Sequence, residues 1–185
     1  MKRTLSLLLT VFCTLSLCAC GTSSAEKQFL SFSKNLSQSE EISFRADVRA
    51  EYETKTARFT LRYDEDSDGA AVTVLAPELI AGVTAHIDKG STTLNYDTVV
   101  LDTGMLDSLG LSPMSSLPLI VKAMKTGYVR NISREKDVLA VEVTPEDGYR
   151  CTLRFSQKDM RPLSAQLVSG NRVTVHLEFS DWMAE

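Results

Sequence analysis

Hydrophobic residues along the chain first follow a helical period and then switch to strict alternation. Phe29, Phe32 and Leu36 recur at helical spacing, which predicts an amphipathic helix over 25–38. From Ile42 to Tyr52 apolar residues alternate with polar ones, as in a long strand with one buried and one solvated face. The same alternation predicts seven further strands, within 57–63, 83–87, 94–96, 139–143, 149–155, 163–167 and 173–179.

Turn-forming residues separate many of the predicted strands. Asp66-Ser67-Asp68-Gly69 and Ser169-Gly170-Asn171 are examples, and both are short enough to favour consecutive antiparallel hairpins. Antiparallel sheets accept one wet face, whereas parallel sheets are covered on both faces. We therefore predict an α+β, β-dominated domain with one strongly curved antiparallel sheet of about eight to ten strands.

One apolar segment, between Asp102 and Gly127, interrupts the alternation. Ser112-Pro113 is a typical helix start and Gly127 a typical stop, so we predict a helix over 113–126 within a helical insert near 105–126. The segment is too apolar to lie exposed, and with the first helix it is expected to cover the concave face of the sheet. Methionine at helical spacing is either plain core or an adaptable surface for varied ligands. The residues expected to line or lid a hydrophobic ligand site are Met105, Leu109, Met114, Leu117, Ile120 and Met124.

The N-terminus has the pattern of an export signal. Lys2 and Arg3 precede a short apolar run that ends in Leu17-Cys18-Ala19-Cys20. The run of about 15 residues is shorter than the roughly 20 that a membrane-spanning helix needs. The four-residue sequence resembles the lipobox of bacterial lipoproteins, with an aliphatic residue three before the cysteine and a small residue one before it.

That resemblance implies a lipid anchor and sets the expected domain boundaries. Residues 1–19 would be a lipoprotein signal peptide, and Cys20 would carry the covalent diacylglycerol and acyl lipid, typically palmitate. Residues 20–24 would then be the lipidated cysteine and a short tether, and 25–185 a single domain. The expected location is the cell membrane, lipid-anchored on its extracytoplasmic side.

Charge and cysteine content agree with export. Removing residues 1–19 takes away Lys2 and Arg3, which leaves 18 basic and 24 acidic side chains and a net charge of −6. A negative chain is a poor partner for nucleic acid. Once Cys20 is lipidated, Cys151 is the only other cysteine of the mature chain, so no intramolecular disulfide is expected. Its place on the apolar side of a strand indicates a packed small residue and not a nucleophile.

Catalysis and metal binding have little support in the sequence. The two histidines, His86 and His176, fall on the polar phase of predicted strands, and no nucleophile elbow, phosphate-binding loop or CxxC motif is present. The stretch 64–69 matches the opening of an EF-hand loop, but Leu75 occupies the position where a bidentate Glu is required. We interpret the stretch as a hairpin turn, and expect neither an enzyme, a metal, nor a cofactor other than the covalent lipid.

The mature chain from 25 to 182 resembles the lipoprotein-localisation-factor superfamily, which has the LolA/LolB-like fold. The resemblance is in the order of elements: Ala76-Pro77-Glu78-Leu79 closes a long strand, Gly82 precedes the next, and a hairpin follows at Leu94-Asn95-Tyr96-Asp97. It implies an unclosed β-barrel with helices on its open side and an apolar cavity for acyl chains. No motif carries individual functional residues across, and no counterpart of the protruding hydrophobic loop of LolB-like members is evident.

Two functions follow as hypotheses. The first is an anchored envelope lipoprotein that binds or carries a hydrophobic ligand, a lipid or acyl chain, in a half-barrel cavity. The alternative is an anchored protein-interaction or sensor and regulatory module of the cell envelope, with a filled core and no ligand. The expected partners are the membrane, through the lipid, and either a lipid or lipoprotein ligand or an envelope protein.

Overall fold

The computed structural model describes residues 24–52, 55–88, 91–96, 99–104, 112–145, 149–169 and 172–185. Two α-helices are present in these ranges, α1 (Ser24–Gln38) and α2 (Pro113–Thr126), together with a short 3₁₀ helix at Glu78–Ile80. The strands are β1 (Ile42–Glu51), β2 (Thr56–Asp66), β3 (Gly69–Ala76), β4 (Thr84–Asp88), β5 (Ser91–Tyr96), β6 (Val99–Gly104), β7 (Tyr128–Glu135), β8 (Val138–Thr144), β9 (Arg150–Ser156), β10 (Pro162–Ser169) and β11 (Arg172–Ala184).

All the strands form one antiparallel sheet that does not close. Its order is β6-β5-β4-β3-β2-β1-β11-β10-β9-β8-β7, so the first and last strands of the chain pair at the centre. The two edge strands, β6 and β7, lie at opposite ends, and in the described ranges they do not pair with each other. This confirms the predicted fold class: a β-dominated, curved antiparallel sheet covered by a first helix and a helical insert.

Over the described residues the sheet has eleven strands, more than the eight to ten that alternation predicts. The alternation misses β3, β6 and β7, although the family resemblance implies a long strand closed by Ala76-Pro77-Glu78-Leu79, where β3 ends. In β7 only two of the eight side chains are half-buried and the rest are exposed, because this strand lies at the edge of the sheet. An edge strand with so few buried positions carries no apolar alternation to detect.

The core lies on the concave side of the sheet. Along β1, Ala46 and Val48 are buried while Arg45, Asp47 and Arg49 are exposed, as the alternation predicts. Helix α2 lies across this concave face and contacts strands on both sides of the sheet centre, namely β1, β2, β3, β8, β9 and β10. The helix begins after Ser112 and stops at Gly127, as predicted.

Gly127 is required where α2 meets the sheet. A Cβ atom at this position would collide with the carbonyl oxygen of Ala123 and crowd the side chain of Val143 on β8. The absence of a side chain lets the helix end lie directly against the strand. Helix α1 then packs beside this end, because the hydroxyls of Ser33 and Ser37 donate to the carbonyl oxygen of Lys125 at 2.8 and 3.3 Å. Carbonyls of the last helical turn lack an intrahelical donor, so α1 satisfies one of them.

A bulge near the end of β11 reverses which side chains face inward. The register of β1 with β11 shifts between Ser43 and Arg45, and Asp181 opposite the shift has a left-handed φ of 51°. The extra residue moves Trp182 to the inward side, where Phe179 already lies. The Trp182 ring centroid is 5.6 Å from that of Phe179 and 5.1 Å from that of Phe44. The bulge thus builds an aromatic cluster at one end of the half-barrel.

In the part of the chain that the structure describes, no helix is long and apolar enough to cross a membrane.

Candidate functional site

The predicted ligand-cavity residues that the structure describes lie in or against the packed core. Leu117, Ile120 and Met124 of α2 are fully buried, and Met114 is half-buried against the same cluster. Met105 and Leu109 lie outside the described residues. The described part of the insert therefore fills the concave side of the sheet with its own side chains, and its role as a ligand contact stays a prediction.

A half-buried ion pair holds the C-terminal end of α2 to the sheet. The ammonium of Lys125 lies 2.8 Å from Oε1 of Glu65 on β2, and the hydroxyl of Tyr63 donates to Oε2 of the same carboxylate at 2.8 Å. Burial, together with the Glu65 charge, raises the pKa of the Tyr63 hydroxyl, so this group stays a donor at all ordinary pH values. We call these three residues the α2 latch.

An open groove of about 500 Å³ runs along α1, between this helix, the turn after β9 and the end of β11. Its apolar side chains are Phe32 and Leu36 from the helix, Met160 from the turn, and Trp182 and Ala184 from β11. The Phe32 ring centroid lies 4.9 Å from that of Phe155 and 6.5 Å from that of Trp182, so the floor continues the aromatic cluster. We call this feature the α1 groove; its polar rim comprises Gln28, Ser31, Asn35, Ser39, Asp159 and Arg161.

Two unusual backbone conformations shape the walls of the α1 groove. Met160 has a φ of 55° and Asp181 a φ of 51°, in the left-handed region that non-glycine residues seldom adopt. Met160 lines the groove itself, and the Asp181 bulge turns Trp182 into it. The third non-glycine residue of this kind, Lys136, lies in the β7–β8 hairpin. Met160 lies in the short turn between β9 and β10, closed by its N–H donating to the carbonyl oxygen of Ser156 at 2.9 Å, and Asp181 lies at the bulge of β11, so each conformation follows from the local path of the chain.

One end of the α1 groove is charged. The backbone N–H of Arg161 donates to Oδ1 of Asp159 at 3.2 Å. The hydrogen bond from Ser156, and then that from the Arg161 backbone, lower the pKa of the Asp159 carboxyl. The carboxylate is therefore ionised throughout the neutral range and orders the turn that carries Met160. The groove combines an apolar floor with a charged, hydrogen-bonding rim, which is the chemistry that an amphiphile requires.

The other sequence candidates are placed as follows. Cys151 is fully buried, and burial raises the pKa of its thiol to about 12, so it is a packed side chain and not a nucleophile. His86 is exposed, and Nε2 of the half-buried His176 lies 4.0 Å from Glu178. Residues 64–69 form the β2–β3 hairpin as predicted, closed by the N–H of Asp68 donating to Asp66 at 2.8 Å.

The described residues contain no group of three or more His, Cys, Asp or Glu side chains that could hold a metal ion.

Sequence reasoning misses most of the α1 groove. Phe32 and Leu36 are detected as the stripe of α1, but Met160 and Trp182 carry no signal, since Trp182 falls one place out of the alternation of β11. Leu79 in the 3₁₀ helix is also missed, although its side chain is 87% exposed. The sequence pattern did not indicate that this apolar side chain would protrude into solvent.

Known structures share the architecture at low sequence identity. A LolA superfamily protein from Nitrosomonas europaea matches with a TM-score of 0.50 and 11% identity, over 89% of this chain and 94% of that one. An uncharacterized conserved protein from Thermus thermophilus matches with a TM-score of 0.51 and 11% identity, over 86% of each chain. A DUF1329 family protein from Desulfovibrio piger matches with a TM-score of 0.51 and 10% identity, over 88% of this chain and 94% of that one.

No protein-family model and no curated protein sequence matches the chain. The structural matches show that it has a LolA-like fold.

Proposed function

We propose that this chain is a membrane-anchored envelope lipoprotein that binds a hydrophobic ligand, a lipid or an acyl chain, at the mouth of its half-barrel. The observation that carries the proposal is the α1 groove, which combines five apolar side chains with a charged rim in about 500 Å³. Ligand sites in proteins are concave, mostly apolar and commonly 300–1,000 Å³ in volume, with a few polar groups that orient the ligand. The α1 groove falls within this volume range and combines an apolar floor with polar groups along its rim.

The position of the groove relative to the anchor supports the proposal. Helix α1 begins at Ser24, four residues after Cys20, and an extended chain spans at most about 3.5 Å per residue. A lipid on Cys20 would therefore hold the start of α1 within about 15 Å of the membrane surface. Gln28, one turn into the helix, already belongs to the rim of the groove.

The binding experiment compares a variant in which a tryptophan fills the groove with a control variant that carries a tryptophan elsewhere on the same helix. Ser31 is exposed at the rim of the groove, so Ser31→Trp would occupy the groove without disturbing the core. Lys34 is equally exposed on α1 but does not line the groove, so Lys34→Trp tests for a general effect of tryptophan. We expect a fluorescent acyl probe to bind the wild type and Lys34→Trp and to lose at least about tenfold in affinity for Ser31→Trp. Equal binding by all three proteins would contradict the proposal.

The anchor is tested separately. Cys20→Ala should abolish metabolic labelling with fatty acid and either release the domain from membranes or leave an uncleaved precursor. A Cys20→Ala protein that is still processed and labelled normally would show that the anchor assignment is wrong. The result does not bear on the groove, which is built from described residues of the domain.

The second candidate function is the interaction module, and the filled concave face favours it. Leu117, Ile120 and Met124 occupy the space in which a half-barrel cavity would hold an acyl chain. A domain with this core recognises other molecules through its surface. Failure of the wild type to bind any acyl probe, together with retention of a full thermal transition, would make this function the leading one.

A further inference from the structure

The convex face of the sheet carries arginines in directly opposed pairs. Arg45 on β1 lies opposite Arg62 on β2, and Arg49 lies opposite Arg58. All four side chains are exposed. Opposed side chains in an antiparallel pair have Cβ atoms about 5 Å apart, and like charges at this spacing destabilise the sheet. Any polar residue would satisfy the requirements of this solvent-exposed face. Two opposed arginine pairs there indicate a role in recognition, and not in stability.

Only part of this charge is neutralised within the chain. Arg62 binds Asp64 at 2.8 Å, and Arg49 lies 3.1 Å from Glu51. Among the described residues, neither Arg45 nor Arg58 has an ion-pair partner. Asp47, between the two pairs on β1, accepts a hydrogen bond from Thr60 at 2.8 Å and faces Glu178 across the next strand.

A groove of about 550 Å³ lies beside the second arginine pair. It is lined by Arg49, Arg58 and His176, with Asp47 and Glu178 on its other side. His176 lies directly opposite Arg49 on β11, so the row Arg58, Arg49 and His176 crosses three adjacent strands. Ala76 and Pro77 complete the groove at the point where β3 ends.

An open strand edge borders the same groove. The pairing of β2 with β3 begins at Thr60, opposite Ala76, whereas β2 itself begins at Thr56. In the described ranges no strand therefore covers the outer edge of residues 56–59, although their other edge is paired with β1. Unpaired N–H and C=O groups of this kind accept an added strand, and Arg58 lies within the uncovered stretch.

We propose that this surface docks an extended, acidic segment of a partner protein. The backbone of the segment pairs with the free edge of β2 at 56–59, and its carboxylates meet Arg58 and Arg49, since guanidinium groups bind carboxylates with paired hydrogen bonds. A protein is favoured over the membrane because the arginines lie on the convex face, whereas α1, from which the tether leaves, lies on the concave side. The inference is independent of the α1 groove.

Because Arg58 lies opposite Arg49, we expect Arg58→Thr to affect stability and binding in different directions. Removing one charge relieves the repulsion from Arg49 and places a good strand former on β2, so the melting temperature should stay level or rise by about 1–3 °C. The same substitution removes the guanidinium of the groove that has no ion-pair partner among the described residues. A residue that served only the fold would lower stability when replaced, so the two readouts separate recognition from structure.

The test uses the anchored mature chain in phosphatidylcholine nanodiscs and a fluorescein-labelled peptide of alternating Glu and Thr, about ten residues long. Fluorescence anisotropy should show binding that falls at least about fivefold for Arg58→Thr and for Arg49→Thr. Arg154→Thr is the matched control, because Arg154 is also on the outer face but is paired with Glu135 at 2.8 Å. This control should stay within about twofold of the wild type, and a peptide with Gln for Glu should not bind.

Four results would overturn the proposal. The first is that the wild type does not bind the Glu-containing peptide, and the second is that Arg154→Thr loses as much affinity as Arg58→Thr. The third is a lowered melting temperature for Arg58→Thr. The fourth is that the lipid-free Cys20→Ala chain binds phosphatidylglycerol vesicles and that adding Arg58→Thr abolishes this binding. The second result would mean non-specific electrostatics, the third a structural arginine, and the fourth a membrane-facing surface.

Discussion

The two faces of the sheet are built from the same strands but are under different physical constraints. On β1, Ala46 and Val48 face α2 and are no more than 2% exposed, while Arg45 and Arg49, their immediate neighbours, are in water. Substitutions on the concave face change packing, because interiors are close-packed and relax little. Substitutions on the convex face change charge with little cost to the fold. The residues that determine stability therefore lie mainly on the concave face. Residues on the convex face and at the rim are free to serve recognition.

The largest expected effect comes from overfilling the concave face. Leu117 has no exposed surface, so Leu117→Trp should lower the free energy of unfolding by about 3 kcal/mol or more. Met114 is only half-buried at the start of α2, and Met114→Trp should cost about 1–2 kcal/mol. Urea denaturation of both variants and the wild type measures the difference.

The opposite sign would reveal a cavity under α2. If Trp at 117 or 114 raised the melting temperature and at the same time displaced an acyl probe, the insert would line a real ligand space. The half-barrel interior would then be the binding site, and the packed state would be one of two arrangements.

The α2 latch should show an intermediate effect. Lys125→Met keeps the apolar part of the side chain but leaves Glu65 with only the Tyr63 hydroxyl as a partner. Because both charges are about a quarter exposed, we expect a loss of about 1–2 kcal/mol, below that of a fully buried pair. The rate of amide hydrogen exchange in α2 should increase in the same variant. Unchanged exchange and stability would show that the ion pair does not hold the helix.

Cys151 is expected to make the free energy of unfolding decrease as the pH rises into the alkaline range. Its pKa is raised to about 12 in the folded chain, against about 8.5 when unfolded, so the folded state keeps a proton that the unfolded state loses. The contribution of the thiol is complete below about pH 8.5 and decreases by up to about 1.4 kcal/mol per pH unit as the pH rises toward 12. Tyr63 acts in the same direction above about pH 10.

Cys151→Ala separates this effect from packing. It should cost about 1–2 kcal/mol at neutral pH through a small cavity, and it should remove the slope between about pH 8.5 and 10 in urea titrations. Reaction of the native thiol with a maleimide at the rate of the unfolded chain would contradict the burial on which this prediction rests.

The smallest effect is expected at the β2–β3 hairpin. Asp66→Asn keeps a side-chain oxygen that can accept from the N–H of Asp68, so stability should change by less than about 0.5 kcal/mol. Calorimetry should show no calcium binding at micromolar concentrations by either protein. A tight heat signal lost in Asp66→Asn would restore the calcium interpretation.

Local patterns in the sequence determined much of the framework. The alternation from Ile42 onward predicts β1 and its wet face, Ser112-Pro113 and Gly127 predict the ends of α2, and the apolar phase around Cys151 predicts its burial. These features were readable because a strand or helix with one buried face repeats its pattern along a few consecutive residues. The lipobox at Cys20 is local in the same sense, and its lipidation stays a prediction.

Only the tertiary structure decided where distant residues meet. The α1 groove joins Phe32 to Trp182 across the whole chain, and it depends on a bulge at Asp181 that no periodicity announces. The opposed arginines depend on the register between β1 and β2, and the α2 latch depends on which strand the helix end reaches. Register and helix docking are set by the packing of the whole concave face, so no short stretch of sequence contains them.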